Sequence, residues 1–235
     1  MPRLSALGSP REITAVLFDA GGTLIRLDHG FIAERAAARG VTLRLEALAE
    51  GEARARHEID ARAERERGVQ DRDADRIAGY FGALLGYAGV GDADCAPLAA
   101  ELAEEQRRAN LWRVPLPGAA ETLAGLRERG FRTGVVSNAD GRVASLLGAA
   151  GLTDHLECIL DSHLEGVEKP DPEIFARALT RLEVAADATV YVGDIYAIDV
   201  RGARAAGLEA ILIDETGTYP ERDCARIRRL ADLLD

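Results

Sequence analysis

From residue 119 to the end, runs with helical periodicity alternate with short apolar, β-branched runs, and few folds other than a parallel sheet covered by helices on both faces accommodate that alternation. The pattern predicts helices over 119–129, 142–149, 172–182, 197–206 and 222–234, with strands over 131–137, 157–161, 189–194 and 208–214. A further strand is expected over 13–19, where ITAVLFD ends in a carboxylate and meets Gly21 and Gly22. The fold class is therefore α/β, a three-layer, Rossmann-like parallel sheet. In open sheets of this kind ligands bind at the carboxyl ends of the strands, and Asp19, Ser137 and Asp194 all stand at such ends.

Residues 31–112 are different. They are rich in Ala, Glu, Arg and Leu at helical spacing, broken near Gly40, Gly68 and Gly89 to Gly91, and contain few strand-like runs. The stretch RVPLPG over 113–118 reads as a return linker. The expected organisation is an α/β core from 1–27 and 114–235, with an inserted all-helical domain over 28–113. A chain of 235 residues is long enough to bury such a core without staples. Its three cysteines, Cys95, Cys158 and Cys224, form no CxxC pair, which suits packing in a reducing cytoplasm. No stretch has the length and apolarity of a signal peptide core or a membrane span, so a soluble cytoplasmic protein is expected. The net charge of −11 disfavours nucleic acid and anionic membranes as partners, and leaves a small molecule as the expected ligand of a monomer or homodimer. Of the 29 basic residues all but Lys169 are arginine.

Four short segments carry chemistry: Asp19-Ala20-Gly21-Gly22-Thr23, Ser137-Asn138, Lys169-Pro170-Asp171-Pro172, and Gly193-Asp194 with Asp199. In this order they resemble the four motifs of the haloacid dehalogenase superfamily, and its phosphatase-like branch in particular. The resemblance covers nearly the whole chain, with the helical insert standing where that family carries a helical cap. It implies a hydrolase that uses Mg2+ and an aspartyl-phosphate intermediate on a small phosphorylated metabolite.

The residue types fit that chemistry on physical grounds. Phosphoryl transfer depends on positioning and on compensating charge at the phosphoryl oxygens. Asp19 is the candidate nucleophile, since a carboxylate that takes the phosphoryl group divides hydrolysis into two easier steps; an Asp before Gly-Gly also suits a plain turn cap. The amides of Ala20 and Gly21 are placed to meet phosphate oxygens, and Ser137 with Asn138 to hold another, although a serine at a strand end also serves as an ordinary turn residue. Lys169 supplies a compact ammonium on a flexible stem, suited to clamp Asp19 and the phosphate. Asp19, Asp194 and the Gly21 carbonyl make a plausible Mg2+ site. By resemblance Asp199 orients a water or Lys169; read alone, it also suits an acid opposing a helix dipole.

One position departs from the pattern. Phosphatases of this superfamily carry a second aspartate two residues after the nucleophile, and here that residue is Gly21. General acid–base help contributes about 10²–10⁴ in rate, so alkyl phosphates are expected to be poor substrates unless Asp28, His29 or the insert supplies an acid. The same departure resembles the 2-haloacid dehalogenases, whose halide leaving group needs no proton, while Gly193-Asp194 favours the metal-using branch. A non-catalytic binding protein on this fold is the third reading. For substrate contacts, His29, His57, Arg142 and Trp112 are candidates, with Trp112 reading mainly as core or hinge packing and His57 as exposed.

Overall fold

The computed structural model describes residues 12–66 and 74–235. Its contacts divide the chain into two compact units, one comprising the chain up to Arg26 together with Trp112–Asp235, the other Leu27–Leu111. The strands are β1 (Ala15–Phe18), β2 (Ile25–Leu27), β3 (Trp112–Pro115), β4 (Arg132–Ser137), β5 (Cys158–Asp161), β6 (Thr189–Gly193), β7 (Glu209–Ile213) and β8 (Ala225–Ile227). The helices are α1 (His29–Ala37), α2 (Leu45–Glu66), α3 (Ala74–Tyr87), α4 (Asp92–Ala109), α5 (Ala119–Glu128), α6 (Val143–Ala149), α7 (Ser162–Glu165), α8 (Pro172–Arg181) and α9 (Arg201–Ala205).

Six strands of the first unit form one parallel sheet in the order β5-β4-β1-β6-β7-β8. Successive side chains of a strand point to opposite faces, and the core follows that rule. Val16, Phe18, Val135, Val190 and Val192 pack with Leu123 and Leu126 of α5 and Val143 and Leu147 of α6. The intervening Leu17, Val136 and Tyr191 pack with Ile174 and Phe175 of α8 and Ala203 of α9. Both faces are thus apolar, as an interior parallel sheet requires. Strand order reverses direction at β1, which lies between β4 and β6. In open sheets such a reversal is where ligands bind, at the carboxyl end of β1.

Three sequence expectations change here. The final helix expected over 222–234 is instead strand β8 followed by a 3-10 turn, Leu230–Leu233. Helix-favouring Ala and Arg yield because β7 offers an open edge: Ile213 pairs with Ile227, and Leu230 and Leu233 are then fully buried. The expected linker over 113–118 contains most of β3, which forms a separate two-stranded sheet with β2. The expected helix over 197–206 begins as a π-type turn, Tyr196–Val200, before α9.

In the second unit, the expected breaks at Gly40 and Gly89 are turns with φ of +80° and +92°; the break expected at Gly68 lies outside the described residues. Leu48, Phe81, Leu84, Leu98 and Leu102 are fully buried. Helices α2 and α3 approach closely at Gly51, where a Cβ would stand 2.5 Å from the Leu84 carbonyl oxygen. His29 is 2.7 Å from Glu52 through Nε2. Among the described residues no helix is long and apolar enough to cross a membrane.

Candidate active site

Asp19 follows β1 directly, and its backbone amide donates to the Val192 carbonyl of β6 at 2.8 Å, so two central strands set its position. Beyond it the chain turns tightly. The amides of Leu24 and Ile25 both donate to the Ala20 carbonyl, at 2.8 and 2.9 Å, and Gly22 adopts φ of +78°.

Lys169 is 2 % exposed. Its ammonium donates to Asp19 Oδ1 at 2.6 Å, to Asp199 Oδ1 at 2.7 Å and to the Tyr191 hydroxyl at 2.8 Å, which uses all three of its protons. Tyr191 in turn donates to the Val136 carbonyl at 2.7 Å. The backbone of Lys169 is held as firmly as its side chain. Asn138 Oδ1 accepts from the Lys169 amide at 2.8 Å, and Asn138 Nδ2 donates to the Lys169 carbonyl at 2.9 Å. The Lys169–Pro170 peptide is cis, and Asp171 then caps α8 by accepting from the Glu173 amide at 2.9 Å.

Asp199 accepts three hydrogen bonds: one from Lys169, and two at Oδ2 from the amides of Asp194, at 3.1 Å, and Ile195, at 2.9 Å. The π-type turn that opens the segment before α9 brings this carboxylate back under the end of β6. Carboxylate oxygens of Asp19, Asp194 and Asp199 lie within 4.8 Å of one another, and all three residues are buried. Lys169 pairs with two of these carboxylates, and a buried cluster of three carboxylates suits a hard divalent cation. Lys169 and two amides already occupy both oxygens of Asp199, so Asp19 and Asp194 are the residues that would hold Mg2+, and the oxygen-only donor set fits that ion.

The titration tendencies follow from the same geometry. Burial pushes the Asp19 carboxyl above its ordinary range; Lys169 opposes the rise and Asp199 adds to it. For Lys169 burial acts against the ammonium, yet Asp19 and Asp199 outweigh it and the net direction is upward, so this lysine stays charged. Burial, reinforced by Asp199, Asp19 and Asp194, lifts the Tyr191 phenol well above its usual value and keeps it neutral.

Of the residues expected from the sequence, Asp19, Lys169, Asp194 and Asp199 are brought together. Ser137 ends β4 beside Asp161 of β5. The Asn138 side chain is occupied with Lys169, which leaves its backbone as the part facing other work. Arg142 pairs with Asp140 at 2.5 Å. Two contributors were not expected. Tyr191 looks like one more core residue of an apolar strand, and nothing in the sequence marks its hydroxyl as a support for Lys169. Asp161 accepts from the amides of Gly141, at 2.9 Å, and Val143, at 3.3 Å, and so pins the loop after Ser137 and Asn138; an Asp at the end of a strand that reads as short was the only available signal.

A family model described as haloacid dehalogenase-like hydrolase matches residues 13–207. Curated relatives include haloacid dehalogenase-like hydrolase domain-containing protein 3 of Bos taurus, 41 % identical over 127 residues, covering 54 % of this chain and 50 % of that protein. Phosphoserine phosphatase of Thermus thermophilus is 40 % identical over 129 residues, covering 52 % and 49 %. The matches thus span about half the length of these relatives. Among solved structures, a putative HAD-hydrolase from Bacillus subtilis bound to magnesium superposes with a TM-score of 0.67 at 23 % identity, covering 95 % of this chain and 97 % of that one, a likeness of fold.

Proposed function

We propose, for a chain that belongs to the haloacid dehalogenase-like hydrolase family, that it is a Mg2+-dependent phosphatase acting on a small phosphorylated molecule through an aspartyl phosphate at Asp19. The observation that carries this reading is the buried ammonium of Lys169, held at 2.6 Å from Asp19 and 2.7 Å from Asp199, with Asp194 in the same cluster. Three carboxylates gathered within 4.8 Å at the strand ends suit a place where a dication and a phosphoryl group enter. The phosphatases among the relatives support the same direction.

In this mechanism an Asp19 oxygen attacks phosphorus, a P–O bond to Asp19 forms, and the bond to the leaving oxygen breaks with its electron pair going to that oxygen. Water then attacks phosphorus, releasing inorganic phosphate and regenerating the carboxylate. Lys169 fixes the rotamer of Asp19 and offsets charge on the phosphoryl group. The amides of Ala20 and Gly21, with Ser137 and the Asn138 amide, receive phosphoryl oxygens. Bound Mg2+ supplies Lewis-acid compensation of the phosphoryl charge. Asp199 and Tyr191 act through Lys169 as positioning residues.

The test is release of phosphate from p-nitrophenyl phosphate and acetyl phosphate with Mg2+, with chelator, and with Mg2+ restored. Turnover should vanish with chelator and return with the metal. Gly21 supports a second reading, hydrolysis of a carbon–halogen bond, because a halide leaves without a proton; halide release from a 2-haloacid in the presence of chelator would establish it in place of the first.

A further inference from the structure

We infer that Trp112 sets the leaving-group preference of this site by filling the space that an acid at position 21 would need, which restricts the substrates to phosphates whose leaving groups require little protonation, such as acyl and aryl phosphates. The inference rests on the phosphatase reading of Asp19.

Gly21 stands two residues after the nucleophile and does not adopt the left-handed backbone that would by itself require glycine. The obstacle to a side chain there is a ring. A Cβ built on Gly21 would lie 3.2 Å from Trp112 Cδ1, 3.6 Å from Nε1 and 3.7 Å from Cγ, so all three nearest atoms belong to one indole edge. The first carbon of any side chain is already tight against the ring, which has to give way to admit it. Displacement is resisted, because Trp112 opens strand β3 and its ring packs against the apolar cluster that contains Phe18, Leu24, Ile25 and Leu116. The backbone is anchored beside it, where the Leu116 amide donates to the Leu24 carbonyl at 2.8 Å.

The chemical consequence concerns where the proton goes. When the P–O bond breaks, the leaving oxygen keeps the electron pair. A carboxylic acid at position 21 would give that oxygen a proton; an indole has only an N–H that stays attached at any working pH. Unless Asp28, His29 or the insert supplies an acid in its place, the leaving group departs as an anion or takes a proton from water, which suits a carboxylate or phenolate and penalises an alkoxide. The absence of an acid is thus built into two positions together, and restoring one without clearing the other restores nothing.

The experiment is a four-protein comparison of parent, Gly21→Asp, Trp112→Ala and Gly21→Asp/Trp112→Ala, each assayed with Mg2+ on an alkyl phosphate and on p-nitrophenyl phosphate, and read as the ratio of the two kcat/KM values. The ratio should stay at the parental value in both single variants and rise about 10²-fold in the double variant, the lower end of what a general acid contributes. A ratio that rises as much in Gly21→Asp alone overturns the inference while leaving the phosphatase activity in place. If none of the four proteins turns over either ester, the phosphatase reading falls and the inference with it. Trp112 is the only tryptophan of the chain, so its emission gives a readout independent of activity and of the double variant's folding. Gly21→Ala and Gly21→Asp should each shift that emission, and spectra identical to the parent would show that the ring does not fill this space.

Discussion

Gly193 and Gly21 both lie near Asp19, the proposed nucleophile, neither adopts a positive φ, and they exclude a side chain for opposite reasons. A Cβ on Gly193 would lie 2.4 Å from Asp199 Cγ, inside the hydrogen-bonded cluster itself. A Cβ on Gly21 would meet the edge of Trp112 at 3.2 Å, a contact with a side chain that can be exchanged. On the mechanism proposed above, the first glycine belongs to the machinery that positions Asp19. The second belongs to the choice of what leaves. On that mechanism the positioning cluster leaves no room for a side chain at Gly193, while the leaving-group chemistry turns on a contact that can be exchanged.

The sharpest way to break that contrast is Asp199→Asn. Asp199 accepts three hydrogen bonds and donates none, so an amide of the same shape must aim its NH2 either at the Lys169 ammonium or at the amides of Asp194 and Ile195. Turned toward Lys169 the group makes one donor–donor conflict, turned toward the amides it makes two, and Lys169 loses one of its two compensating charges. Breaking a buried ion pair on one side costs about 3–5 kcal/mol. Chemical denaturation should show a loss of that order, accompanied by near-complete loss of turnover on every substrate; a stable, active variant would mean that the cluster tolerates rearrangement.

Gly193→Ala comes next. It changes no charge and removes no partner, yet the Asp199 carboxylate has to move to admit a methyl group. Overpacking of a close-packed site costs about 1–3 kcal/mol, and the displaced carboxylate should carry Lys169 away from Asp19, so turnover should fall on alkyl and aryl esters alike. An unchanged alkyl-to-aryl ratio with lowered rates distinguishes this glycine from Gly21, where the ratio is the quantity at stake.

The rigid part of the site was the more legible in the sequence. Asp19 and Asp194 are charged residues at the ends of apolar strands, Asp199 follows in the helical segment after the second of them, and Lys169 is conspicuous among arginines. The parts that escaped are those whose meaning depends on a neighbour distant in sequence. Tyr191 alternates correctly within TVYVG and reads as core until strand pairing sets it beside Leu17, across from the Lys169 loop. Trp112 reads as packing, which it is; that the same ring also closes the space over Gly21 depends on where β3 returns. The strand β8 was hidden for a related reason, since its Ala225-Arg226-Ile227 has no strand pattern strong enough to outweigh helix-favouring neighbours until the edge of β7 is there to receive it.

Tyr191→Phe should have the smallest effect and tests how much of the positioning cluster is surplus. The ring stays, with its edge-to-face contact to Phe175 at 5.0 Å between centroids, so no cavity larger than a hydroxyl opens. Two hydrogen bonds go: the one Tyr191 accepts from Lys169 at 2.8 Å and the one it donates to the Val136 carbonyl at 2.7 Å. Each buried group left without its partner costs about 1–3 kcal/mol, but the ammonium retains Asp19 and Asp199, whose opposite charges bind it more strongly than a neutral phenol does. The loss should therefore sit near the low end, about 1–2 kcal/mol, or a Tm lower by roughly 2–8 °C for a domain of this size. Turnover should fall only modestly, because the lysine is still drawn to the same two carboxylates. A collapse of activity comparable with that of Asp199→Asn would show instead that the phenol is what aims the ammonium at Asp19, and that the carboxylates alone do not hold it in line.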